Sequence, residues 1–164
     1  MKIEQPLTLT ATAPTAGGLT VATAGLINTV LNKYSWTNAM ITALGATTTG
    51  DLTVCTLPAK TLVKKAFVVI TGQAAGTTTL TLAVGRTTAL FIDYIVAKDA
   101  KVAANTVYGQ LVAELGTNLS ALTGDLPSLS GTTDIKMHLI STVQNLSSCT
   151  GSSGDIYLET IQLP

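Results

Sequence analysis

An all-β fold is predicted, an antiparallel β-sandwich of jelly-roll-like order with at most one or two short helices. Three observations predict it. Stretches rich in Val, Ile, Leu, Phe and Thr repeat with a period of two, turn-rich loops separate them, and helical spacing is sustained for only about one turn at a time. No internal repeat of about 20 to 50 residues is evident.

Residues 1–28 are a low-charge Thr/Ala/Gly segment in which Gln5 to Thr12 alternates and Gly17-Gly18 breaks the pattern. They read as an extended N-terminal arm or a first strand, with residues 29–164 as the sandwich domain. Leu26 to Leu31 has a helical hint too short to stand alone. Tyr34 to Leu44, with Trp36, Met40, Ile41 and Leu44, fits strand or helix, and Gly45 to Gly50 is a turn. Asp51 to Leu57 is a strand.

Thr61 to Thr71 is the segment around which the chain is organised. Leu62, Ala66, Val68 and Ile70 share one parity and Val63, Phe67 and Val69 the other, so the strand is apolar on both faces apart from Lys64 and Lys65. Thr71 to Gly76 is its loop. In Thr77 to Gly85, Leu80, Leu82 and Val84 alternate with Thr79, Thr81 and Ala83, as in a strand with one wet face. Ala89 to Val102 reads as a short helix or an irregular crossing segment, Val107 to Leu115 as a short apolar segment, and Thr117 to Thr133 as a long loop. Asp134 to Val143 alternates, with Ile135, Met137, Leu139, Ser141 and Val143 on one face. Gln144 to Gly154 is a polar loop, and Asp155 to Leu163 is the closing strand.

A chain of 164 residues buries a core without staples, since a domain of this size hides roughly 70% of its unfolded surface. Its formal net charge is zero and only 11% of residues are charged, against about 25% in an average domain. Near-zero charge favours association, and 46% hydrophobic content is more than one small core needs, so some apolar surface is expected to meet partner subunits. Met1 to Pro6 lacks the apolar region of a signal peptide, and no apolar span of about 18 residues is present. Synthesis in a cytoplasm is therefore expected, with no membrane partner. Cys55 and Cys149 read as free thiols. The sequons at Asn118 and Asn145 matter only on a secretory route.

The residues offer little chemistry. His138 is the single histidine, so a His-based triad or a His-ligated zinc site lacks partners, and a strand side chain facing solvent or a neighbour is the favoured reading. Cys55 as a nucleophile would need His138 beside it. Asp93 with Asp99, and Asp134 with Asp155, are the carboxylate sets that suggest calcium, but neither has the density of a calcium loop. Gly151 to Gly154 is not Gly-x-Ser-x-Gly. Arg86 is the single arginine and no basic stripe exists, while Lys64 and Lys65 are expected on opposite faces of their strand, so no nucleic-acid partner is expected. Trp36 reads as a core or interface anchor. The expectation is no catalytic residue, no metal site and no cofactor.

Thr56-Leu57-Pro58-Ala59-Lys60-Thr61-Leu62-Val63, then Thr79-Leu80-Thr81-Leu82-Ala83-Val84-Gly85, then Gly154-Asp155-Ile156-Tyr157-Leu158-Glu159-Thr160-Ile161 stand in an order that resembles small tailed-bacteriophage virion proteins. These carry a Leu-Pro-Ala-Gly-Thr-type turn, a Val-rich strand, a Thr-Leu-Thr-Leu-x-Val-Gly strand and an edge-like terminal strand. Lys60 stands where that turn carries Gly. The resemblance covers about residues 50–85 and 134–163. It implies a virion structural protein of the capsid decoration (cement) or head-fibre type, a homotrimer seated on the capsid surface against the major capsid protein. A receptor- or glycan-binding sandwich of a phage fibre or adhesin is the alternative.

Overall fold

Alternating aliphatic and Thr residues pair into nine strands, seen in a computed structural model that describes residues 19–20, 29–86, 93–120 and 129–163. They are β1 (Leu19–Thr20), β2 (Thr29–Trp36), β3 (Thr49–Leu57), β4 (Thr61–Gly72), β5 (Thr81–Arg86), β6 (Ile95–Asp99), β7 (Val107–Tyr108), β8 (Thr133–Ile140) and β9 (Ser153–Gln162). Two short helices, α1 (Asn38–Thr42) and α2 (Thr117–Ser120), and 3-10 turns at Val112–Glu114 and Leu146–Ser148 complete the described elements.

The strands form two sheets, sheet A in the order β1-β2-β9-β4-β7 and sheet B in the order β3-β8-β5-β6. Every pairing is antiparallel. Four of the pairs are nested: β5 with β6, β4 with β7, β3 with β8, and β2 with β9. The chain is therefore a long double ribbon folded back on itself between β5 and β6. Pairing of β4 with β9 and of β5 with β8 rolls this ribbon into two layers, the jelly-roll-like order the patterning predicts.

The core lies between the layers. Val68, Ile70, Ile156 and Leu158 from sheet A meet Leu82, Val84, Ile135, Met137 and Leu139 from sheet B, all buried, with Trp36 and Ile41 closing one end. Burying a side chain of this size contributes about 1.5–3 kcal/mol, which is why the inward parity of each strand is so clear.

Several expectations are corrected. Thr29 to Leu31 belong to β2 and are not helical, because they pair in turn with Ile161, Thr160 and Glu159. The stretch from Tyr34 divides into the end of β2 and α1. Residues 95–99 of the expected helix or crossing segment are strand β6, held by pairing with β5. Four residues of the long loop from Thr117 form α2. Val143 is 66% exposed and does not share the buried face of Ile135, Met137, Leu139 and Ser141, because β8 ends at Ile140 and the alternation ends soon after. Ala83 is buried, although its parity predicts a wet position. The closing strand is central in sheet A, not an edge.

Of the predicted arm, Leu19 and Thr20 pair with Leu31 and Val30, and residues 1–18 and 21–28 lie outside the described residues.

Candidate functional site

The strand that is apolar on both faces places the site on the outer face of sheet A. A register shift between Val63 and Lys65 inserts one residue into β4, so the inward set runs Thr61, Val63 and then Ala66, Val68, Ile70. Leu62, Phe67 and Val69 are thereby turned outward and remain half-buried. Cross-strand registers align them in rows: Thr29 with Ile161 and Leu62, Leu31 with Glu159 and Lys65, Lys33 with Tyr157 and Phe67, and Ser35 with Asp155, Val69 and Val107. Leu31 is 47% exposed at the margin of this face.

The charges on the face are paired within the chain. Lys33 Nζ lies 3.1 Å from Asp155 Oδ2 and 5.6 Å from the centre of the Tyr157 ring, while Ser35 Oγ donates to Asp155 Oδ1 at 2.6 Å. Lys64 and Lys65 both reach Glu159, at 3.3 and 3.4 Å. The same inserted residue explains this second pairing, since it brings two consecutive lysines to one carboxylate where strict alternation predicts opposite faces. Exposed pairs of this kind contribute little stability, about 0–1 kcal/mol. Their effect is to leave a face of mixed apolar and charged side chains whose charges are nearly balanced.

Sheet B presents a different outer face. Its rows are Thr49, Ile140, Thr81 and Asp99, then Asp51, His138 and Ala83, then Thr53, Lys136 and Gly85. Polar side chains dominate it. His138 Nδ1 lies 2.5 Å from Asp51 Oδ1, so the histidine's neighbour is a carboxylate on the next strand and not Cys55. Cys55 packs against the core, where burial, and then the charge of Asp134, push its thiol up to about 11. A thiol held protonated at neutral pH is a poor nucleophile. Cys149 is buried and both cysteines are free.

The carboxylates considered for calcium serve separate partners. Asp93 accepts from the Arg86 backbone N–H at 2.8 Å, from Arg86 Nη2 at 2.9 Å and from Asn118 Nδ2 at 3.4 Å. Asp99 accepts from the Lys101 N–H, Asp134 from Thr56 Oγ1, and Asp155 from Ser35. Among the described residues no group of three or more His, Cys, Asp or Glu is placed to hold a metal ion. No helix among them is long and apolar enough to cross a membrane.

Trp36 is a core anchor, 2% exposed, with Nε1 donating to Ser152 Oγ at 3.4 Å. Sequence patterning misses the Arg86–Asp93 clamp, which joins the ends of β5 and β6 at the fold-back of the ribbon; the signal was the lone arginine seven residues before an aspartate in an apolar stretch.

Fold and face together describe a jelly-roll-like β-sandwich whose candidate site is a sheet surface and not a cleft. No family model matches the chain, and no curated protein matches it. Among solved structures, the chain is similar to a chain of the acidic stable capsid structure of Helicobacter pylori bacteriophage KHP30, at 12% identity and a TM-score of 0.48, over 81% of this chain and 86% of that one. It is also similar to a chain of the cyanophage Pam1 capsid asymmetric unit, at 18% identity and a TM-score of 0.46, over 100% of both.

Proposed function

We propose that the protein is a non-enzymatic structural subunit of a phage virion, a homotrimeric decoration (cement) protein that sits on the capsid surface and binds the major capsid protein. The observation that carries this reading is the outer face of sheet A, where every row holds at least one apolar side chain and the charges are paired in cis. Such a face gains by apolar burial, and pairing its charges in cis lowers, without removing, the cost of covering them. The polar outer face of sheet B suits the side turned to solvent. The resemblance of residues 50–85 and 134–163 to small virion proteins supports the same assignment.

The mechanism is mass action. A subunit that binds the assembled lattice and not its separated parts shifts the equilibrium toward the lattice. No membrane, nucleic acid, metal or cofactor takes part in it.

Adding purified protein to undecorated shells tests this, with occupancy and the temperature of genome release as readouts. Saturable occupancy and a higher release temperature are expected. Absence of saturable binding, or attachment to host cells or glycans, moves the protein to the receptor-binding reading.

A further inference from the structure

A knob and a groove lie side by side at the β7 edge of sheet A. The knob is the turn from Gly109 to Leu115, whose tip residues Leu111 and Val112 are 64% and 53% exposed. It is firmly built. Gly109 has φ +97 and lies so close to β4 that a Cβ there would stand 2.2 Å from the Ala66 carbonyl oxygen. Glu114 Oε2 then accepts the backbone N–H groups of Gly109, Gln110 and Leu111, at 3.0, 3.1 and 3.2 Å. A preorganised apolar tip has little entropy left to lose on docking.

The groove, about 260 Å³, lies between β4 and the turn, with Phe67, Leu115 and Leu119 in its walls and Lys64, Lys65 and Gln110 beside them. On the same measure a single water needs only about 10–15 Å³, so the space accepts side chains. The charges of the two features are complementary. Lys64 and Lys65 share the one carboxylate of Glu159, which leaves surplus positive charge at the groove, whereas Glu114 forms no ion pair among the described residues.

We infer that the Leu111–Val112 knob of one copy of this chain occupies the groove of a second copy, with Glu114 drawn toward the lysines there. Adjacent knob and groove permit a closed ring, because each subunit offers both halves to its neighbours around a symmetry axis. This rests on the homotrimeric reading above and names the contact that holds it.

The experiment measures the self-association of the full chain by sedimentation, for wild type, for Leu111→Ser/Val112→Ser and for Lys64→Glu/Lys65→Glu. The Leu111 and Val112 side chains are exposed, so that variant should melt close to wild type, while Lys64→Glu/Lys65→Glu, which sets two carboxylates beside Glu159, should melt somewhat lower but still cooperatively. Each double variant alone should associate at least about tenfold more weakly, the scale of a lost interface anchor. Mixed in equal amounts, they should regain association through one intact contact, the knob of the lysine variant in the groove of the serine variant. Variants that associate as tightly as wild type overturn the inference, as does a mixture no tighter than its components. Should the serine variant fail to fold, Lys65→Glu alone decides the matter, with undiminished association overturning the knob. A monomeric wild type that still decorates shells sinks this contact and spares the virion reading. An oligomer that loses association in both variants but never binds shells does the reverse.

Discussion

Lys60 has φ +61, in the left-handed region where a side chain costs roughly 1–2 kcal/mol and Gly is at ease. This is the turn position at which the phage pattern it resembles carries Gly, so backbone geometry explains the preference and the lysine here bears the strain. Lys60→Gly should raise stability by roughly 0.5–1 kcal/mol, the strain relieved less the added flexibility of the unfolded chain, as read by urea unfolding. A lower midpoint would mean that the lysine's own interactions outweigh its strain. Two buried protons make a second prediction. Burial, with the Asp134 charge adding to it, holds the Cys55 thiol up to about 11 against an ordinary 9.0, and burial holds the Tyr94 phenol up to about 12 against 10.0. The unfolded chain releases both protons earlier than the folded one, so this contribution is whole below pH 9.0 and is lost as pH rises through the two folded values. Stability should therefore fall from pH 9.0 toward 11, and Cys55→Ala should make that fall shallower. An identical slope in the variant would remove Cys55 as its source.

Strands succeed or fail on the fit of their inward parity, and β9 shows how tight that fit is. A Cβ on Gly154 would stand 2.1 Å from the Trp36 ring and 2.5 Å from the Val69 carbonyl oxygen, and turning the tryptophan cannot relieve the second clash. Gly154→Ala should cost about 1–3 kcal/mol and shift the tryptophan emission, whereas an unchanged melting temperature would show that β9 can slide. In β5, Leu82→Asp places a charge where the wild-type side chain is 1% exposed, and the subunit should not fold. Thr81→Asp, half-buried on the opposite parity, should retain a cooperative melt. Equal damage from both would mean that β5 is closed on both faces along its whole length, as it is at Ala83. The strands legible in the sequence are those whose alternation runs long and unbroken: the β8 run Ile135, Met137, Leu139 and the β9 run Ile156, Leu158, Thr160 are all buried. β6 was hidden because Ile95 is its one deeply buried residue, and its strand character comes from pairing with β5, which composition does not display. The inserted residue in β4 was equally invisible. Strict alternation assigns Leu62 inward and separates Lys64 from Lys65, and only the partner strand's register shows the reverse. The proposed interaction face was half legible: two apolar parities in one strand mark apolar side chains on the outer surface of sheet A, but the turn that supplies the proposed knob carries no periodic signal.

At the scale of the whole molecule, the rolled ribbon sets which surfaces are free. Among the described residues both edges of sheet A end in two-residue strands, and the β3 edge of sheet B exposes Thr49, Asp51, Thr53 and Thr56 with a register shift between Thr53 and Cys55. Short, polar or irregular edges discourage open-ended strand addition, so association is directed to faces and turns. That bears on how the proposed virion contact would respond to salt. With zero formal net charge, 11% charged residues and the lysines of the sheet A face already held at 3.1–3.4 Å from their own carboxylates, little long-range attraction to a shell remains to be screened. Attraction between separated charges fades over about 8 Å at physiological ionic strength, whereas apolar burial does not. Contacts of about 1,000 Å² or more suffice for specific attachment, and in the proposed homotrimer three linked copies would multiply it through avidity. Occupancy on undecorated shells should therefore change little between low and physiological salt, while Leu31→Asp, which charges the apolar face at a position already 47% exposed, should reduce occupancy without unfolding the subunit. Binding that collapses with added salt and ignores Leu31→Asp would instead place the contact on the polar outer face of sheet B, where Asp51, His138 and Lys136 lie.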